Sequence, residues 1–253
     1  MKLKITFRHA LVGLFASVWT LNTAFAGISL DRTRIIVKGD EKSASANLTN
    51  TNSDIPFLAQ SWVEDANGKK ITEPLLVLPP LQRIDGGQKG VIRVTKTDGI
   101  NALPQDRESL FYLNVREIPP KPDKPNILQL AMQSRIKLFY RPAGIVPENN
   151  EEVWQDQVIY HKQGNKMLAE NPTPFYITLI GLTRNITKEG GEKLTDFNGV
   201  MIPPKSSINF PLIASNIEHF AVMYVNDYGG HPERLYRCAG DVCKALPESE
   251  QPK

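Results

Sequence analysis

Between Asn126 and Pro142 the chain reads NILQLAMQSRIKLFYRP. Leu128, Leu130, Met132, Ile136, Leu138 and Tyr140 make its even positions from 128 to 140 apolar, with Ser134 the exception. Gln129, Gln133, Arg135 and Lys137 make most of its odd positions polar. A period of two held for about 14 residues is long against a mean strand of about 5–6. Extended chain alternates its side chains between two faces, so this segment must be a strand with one long apolar face. The rest of the chain has to provide something for that face to bury against.

The surrounding sequence is of the same kind. Short β-type runs punctuated by turn residues dominate, and helical periodicity is scarce. The segments 28–39, 43–50, 56–65, 90–96 and 109–120 read as strands, and Asn67-Gly68 reads as a hairpin turn. Pro79-Pro80, Gly86-Gly87 and Leu103-Pro104 mark loops or strand starts. After Tyr140 the stretch RPAGIVPENNEE reads as a linker, and a second set of strands follows at 153–161, 165–170, 174–183, 206–213, 219–228 and 234–238. Nineteen prolines among many short strands argue for sandwiches rather than a parallel sheet. The expectation is an all-β chain of two immunoglobulin-like β-sandwich domains of about 110 residues each, a usual size for that fold. The first spans 27–145, the second 146–253, with a short linker between them. The halves show no alignable repeat.

Residues 1–26 stand apart from the fold. Lys2, Lys4 and Arg8 precede the apolar run ALVGLFASVWTL, which is too short to span a bilayer, and Ala24-Phe25-Ala26 offers a small-x-small cleavage pattern. The reading is a signal peptide cleaved after Ala26, leaving 227 of the 253 residues in an exported, soluble protein. The leader carries three bases and no acids, so the formal +3 reduces to 27 bases against 27 acids. Nothing in that balance calls for nucleic acid or an anionic membrane, and no second run is long enough for membrane insertion.

Only Cys238 and Cys243 occur, in CAGDVC. Export makes a disulfide the default between them, with Ala-Gly-Asp at a tight hairpin tip. Closing so small a ring is worth about 2 kcal/mol on the chain-entropy estimate. A redox role would need C-x-x-C beside a βαβ pattern.

Catalysis finds no constellation to carry it. Outside the leader the histidines His161, His219 and His231 are isolated, and there is no H-E-x-x-H, G-x-S-x-G, phosphate-cradling loop or Cys/His metal cluster. Glu151-Glu152 reads as solvated linker charge. Asn47 and Asn185 sit in N-x-T sequons, which matter only in a eukaryotic secretory protein. No cofactor and no metal are expected, and the chain reads as a binding protein rather than an enzyme. The long strand then has two readings. Leu128, Leu130 and Met132 either continue the domain core, as periodicity alone favours, or overhang it and face an incoming partner.

Three further segments bear on that choice. LPQDRESLFYLNVREIPP (103–120) combines an acidic-basic-Glu cluster, alternating aromatics, an Asn and a terminal Pro-Pro. ISLDRTRIIVKG follows the leader, and IKLFYRP closes the alternating strand. With VNDYGGHP (225–232) and the C-x4-C near the end, these resemble the matching segments of the PapD-like periplasmic pilus chaperones of the chaperone–usher pathway. The resemblance covers both domains.

It implies an L- or boomerang-shaped molecule, without ATP or metal, that binds pilin subunits by donor-strand complementation. Such a chaperone lends a strand to a subunit lacking its last one, caps the assembly surface and delivers the subunit to an outer-membrane usher. Leu128, Leu130 and Met132 match the donor strand. Arg34 and Lys137 match the anchor for the subunit's C-terminal carboxylate. Arg93, Glu108 and Asp227 match a network that fixes the interdomain angle, with Arg141 a further candidate. The short segment from Ile118 to Asn126 resembles the subclass serving rod-forming pili. A self-capping homodimer is a further partner this family pattern suggests. The competing function is a structural pilin or surface adhesin, which would be a shorter single domain with an N-terminal donor extension.

Overall fold

The computed structural model describes residues 27–251 apart from 123, 125, 127, 149–152, 187–190, 198 and 215. The proposed leader and Glu151-Glu152 lie outside the described residues. Among the described residues, ten strands form the first half. They are β1 (Ile28–Leu30), β2 (Arg34–Lys38), β3 (Ser43–Asn50), β4 (Phe57–Asp65), β5 (Lys70–Ile71), β6 (Leu75–Leu78), β7 (Leu81–Ile84), β8 (Lys89–Lys96), β9 (Ser109–Ile118) and β10 (Gln133–Arg141). One sheet runs β1-β3-β8-β6; the other runs β2-β10-β9-β4-β5, with β7 added on β4. Alternation sets which side chains meet between them: Ala46 and Leu48, Val63, Ile92 and Val94, and Phe111, Leu113 and Val115 all point inward and are buried.

The segment 28–39 is two strands where the sequence suggested one. Asp31 accepts hydrogen bonds from both the backbone N–H and the side-chain amide of Asn47, at 3.1 and 2.8 Å. That contact ends β1 beside β3, and the chain crosses to the other sheet, where β2 runs parallel to β10. Asn67-Gly68 turns β4 into β5 as its composition demands. Asp65 accepts the N–H groups of Asn67 and Lys69, and Gly68 takes φ +82°.

Among the described residues, the second half has eight strands: β11 (Ile159–Gln163), β12 (Lys166–Asn171), β13 (Ile177–Thr183), β14 (Val200–Ile202), β15 (Ser206–Pro211), β16 (His219–Val225), β17 (Glu233–Ala239) and β18 (Val242–Ala245). They follow the order β14-β13-β16-β17-β18-β11-β12-β15, and β14 and β15 return to one another to enclose a separate core. Tyr160, Phe220 and Tyr236 form its centre, with ring centroids 4.9–5.4 Å apart. Cys238 faces Cys243 across β17 and β18 and is joined to it, with Gly240 at φ +63° in the turn. The expected strand at 153–161 starts with a 3-10 turn, Trp154–Gln157. It is held because the Tyr236 hydroxyl donates to the Gln155 carbonyl and Arg234 pairs with Asp156.

Candidate functional site

The site grows from the strand on which β2, β9 and β10 converge. β10 pairs with β9 from Gln133 to Tyr140, but β2 covers its other edge only from Lys137 to Arg141. From Gln133 to Ile136 that edge has no neighbouring strand among the described residues. Upstream the ladder ends, and Leu128, Leu130 and Met132 stand 85, 73 and 56% exposed. Downstream, Leu138 and Tyr140 enter the first core. The long apolar face is thus divided, its second half buried at home and its first half open.

At the division the parallel register sets Arg34 directly beside Lys137. The second half meets this pair with another, Thr178 and Val225, which are register partners on β13 and β16. Lys137 Nζ donates to the Thr178 hydroxyl at 3.1 Å, and an Arg34 guanidinium nitrogen reaches the Val225 carbonyl at 3.5 Å. Both acceptors are neutral. Burial, and then the neighbouring Arg34 charge, pull the Lys137 ammonium below its ordinary pKa. Burial also lowers that of Arg34, against the pull of Asp227 and Glu108. The Arg34 Nε is buried with no hydrogen-bond partner among the described residues. Two adjacent cations with unused donors, Arg34 buried and Lys137 partly so, can donate together to an anion.

Behind them the two halves are bolted together by Arg141. Its guanidinium donates to Glu108 at 2.8 Å and makes a two-pronged contact with Asp227 at 2.8 and 3.1 Å. It also lies over the rings of Trp154 and Phe175. Glu108 accepts the Tyr176 N–H at 2.7 Å as well. Burial pushes the Glu108 carboxyl up to about 7, against the opposing pull of Arg141. Arg93, expected in this network, is elsewhere. It alternates with the buried Ile92 and Val94 on β8, so it faces outward and is exposed on the other sheet. Arg141 supplies the guanidinium instead.

Sequence reasoning passed over Thr178, Val225, Tyr176 and Trp154. Two of them contribute backbone atoms, which carry no residue signal. Thr178 is one hydroxyl in an apolar run, and Trp154 was read as part of a strand.

Comparison with known proteins places this geometry in context. Residues 27–146 match the family model described as "Pili and flagellar-assembly chaperone, PapD N-terminal domain". Residues 153–236 match "Pili assembly chaperone PapD, C-terminal domain". The chain is 58% identical over 248 residues to chaperone protein PmfD of Proteus mirabilis, covering 98% of each chain. It is 44% identical to chaperone protein PapD of Escherichia coli, over 91% of this chain and 95% of the other. Among solved structures, the SafB chaperone in complex with the SafA pilin of Salmonella enterica matches with a TM-score of 0.70 and 27% identity, covering 85% of this chain and 98% of that one.

Proposed function

The chain belongs to the PapD-like pilus-assembly chaperones, and on that premise we propose that it holds pilin subunits by lending them Leu128–Met132 and gripping their C-terminal carboxylate with Arg34 and Lys137. The observation that carries this reading is the paired, incompletely satisfied cations at the end of an open strand edge that runs on into three exposed apolar side chains. Curated relatives of high identity are chaperones by name rather than pilins, and a pilin is bound to a solved relative.

On this reading the guest strand has one direction. The free edge of β10 lies upstream of Lys137, and β2 occupies the same edge downstream, parallel to β10. A guest strand whose terminal carboxylate sits at Arg34 and Lys137 must end where β2 begins, so it too runs parallel to β10. A slip of one residue would turn Leu128, Leu130 and Met132 to the wrong face, and the pinned carboxylate forbids it. Burying each of the three side chains is worth about 1.5–3 kcal/mol. Each backbone hydrogen bond adds about 0.5–1.5 kcal/mol net. Ordering costs reduce the sum, and Met132 adapts to varied grooves.

The remaining parts of the reading follow the family. Capped subunits pass to an outer-membrane usher, the chain works in the periplasm, and its leader is removed after Ala26. The boundary between the lobes falls at 145/146. Without a subunit, the same apolar edge is free to pair with a second copy of this chain. Co-expression with subunits and periplasmic co-purification tests the core claim: Leu130→Glu and Arg34→Ala should each abolish capture while leaving the chaperone folded. Undiminished capture by both would sink strand donation.

A further inference from the structure

The point at which the exposed stretch leaves its own sheet is governed by one side chain. Continuing the antiparallel β9/β10 register past Gln133 and Arg116 brings Met132 opposite Glu117. In a regular ladder the two residues would exchange both backbone hydrogen bonds. Half of that exchange is present, with the Glu117 N–H donating to the Met132 carbonyl at 3.0 Å. The other half is not backbone to backbone. The Met132 N–H donates to Glu117 Oε1 at 3.1 Å. The carboxylate takes the place of the carbonyl, and the strand stops at Gln133.

Glu117 is an unexpected residue for that position. It follows Phe111, Leu113 and Val115 on the inward face of β9 and is itself 4% exposed. Its second oxygen, Oε2, accepts the Ile28 N–H at 2.9 Å, so the same carboxylate binds the first strand of the other sheet. The oxygen is tightly enclosed: a Cβ added at Gly27 would lie 2.8 Å from it and equally close to the Phe57 ring. A buried carboxylate held by peptide N–H groups from two separate segments has little freedom to move.

We infer that Glu117 is a positioning residue for subunit capture, a clamp that anchors Met132 to β1 and sets where the donor stretch peels away from its own sheet. The inference rests on the strand-donation reading. The clamp fixes Met132, while Leu128 and Leu130 are presented beyond it.

The test uses the full-length, naturally processed chaperone with Glu117→Gln, Glu117→Asp and Glu117→Ala, beside Arg34→Ala. Gln keeps one acceptor for two donors; Asp keeps the charge but withdraws it by one methylene. Hydrogen exchange at the Met132 amide should speed at least tenfold in the Asp and Ala variants and less in Gln. Capture per folded molecule should fall in the same order, about tenfold for Ala and Asp. If the Met132 amide loses protection yet capture per folded molecule stays at wild-type level, the clamp has no part in capture. Wild-type capture by Glu117→Asp would likewise overturn it, because charge without reach would then suffice. Intact capture by Arg34→Ala would instead indict the strand-donation reading itself.

Discussion

At the scale of single residues, Glu108 and Arg141 make the sharpest expectations. Arg141→Ala would leave Glu108 buried with one partner fewer, and loss of one member of a buried pair costs about 3–5 kcal/mol. Thermal melting should show it as a large drop, whereas Arg93→Ala on the exposed face of β8 should leave melting nearly unchanged. Glu108 should also give the molecule a pH signature. Its carboxyl titrates near 7 when folded and lower when unfolded. The native state therefore holds a proton that unfolding releases. This contribution is complete below the unfolded value and is lost as pH rises through about 7, with a slope of at most about 1.4 kcal/mol per pH unit. Glu108→Gln should flatten that part of the stability profile. An identical slope in the variant would assign the titration to another group.

At the scale of elements, the two ends of β10 show what a pattern can disclose. Alternation marked the strand and its inward residues, and Leu138 and Tyr140 are buried accordingly. It could not mark where the partner sheet stops, because coverage of an edge depends on another segment, here β2, and on the Asp31 contact that throws β2 across to it. The same limit hid Thr178 and Val225, whose place in the cleft comes from the register of β13 on β16. Arg93 was misplaced for the converse reason: a charge between two buried neighbours already declared itself outward-facing. The disulfide hairpin is the most local element and was the most legible. Replacing Cys238 and Cys243 by serine should destabilise the second lobe by about 2 kcal/mol, seen as earlier loss of its aromatic circular dichroism. If the melting temperature did not move, the bond would be dispensable for folding.

At the scale of the whole molecule, two cores meet at a polar joint with aromatic packing around it. Phe139 of the first lobe lies against Tyr176 of the second, with ring centroids 5.5 Å apart, and Arg34 lies 6.0 Å above Phe139. Lys205 pairs with Asp106 at the rim, an exposed contact of little weight. The Arg34–Lys137 cleft therefore draws one strand pair from each lobe, and its geometry depends on their relative placement. Scattering from Arg141→Ala in solution should report a broader spread of interlobe distances, with weaker subunit capture although Arg34 and Lys137 remain. Unchanged scattering would mean that the aromatic contacts suffice to hold the joint.

The start of β2 beside Lys137 has a practical meaning as a barrier. On the proposed reading, a guest strand lying along β10 would run into the chaperone's own backbone as soon as it passed the two cations, so the cleft would accept a chain only if it ended there. Peptide added beyond a guest's last residue would then have nowhere to go and would also take the carboxylate away from Arg34 and Lys137. Fusions and purification tags on such guests would therefore belong at any position other than the C-terminus.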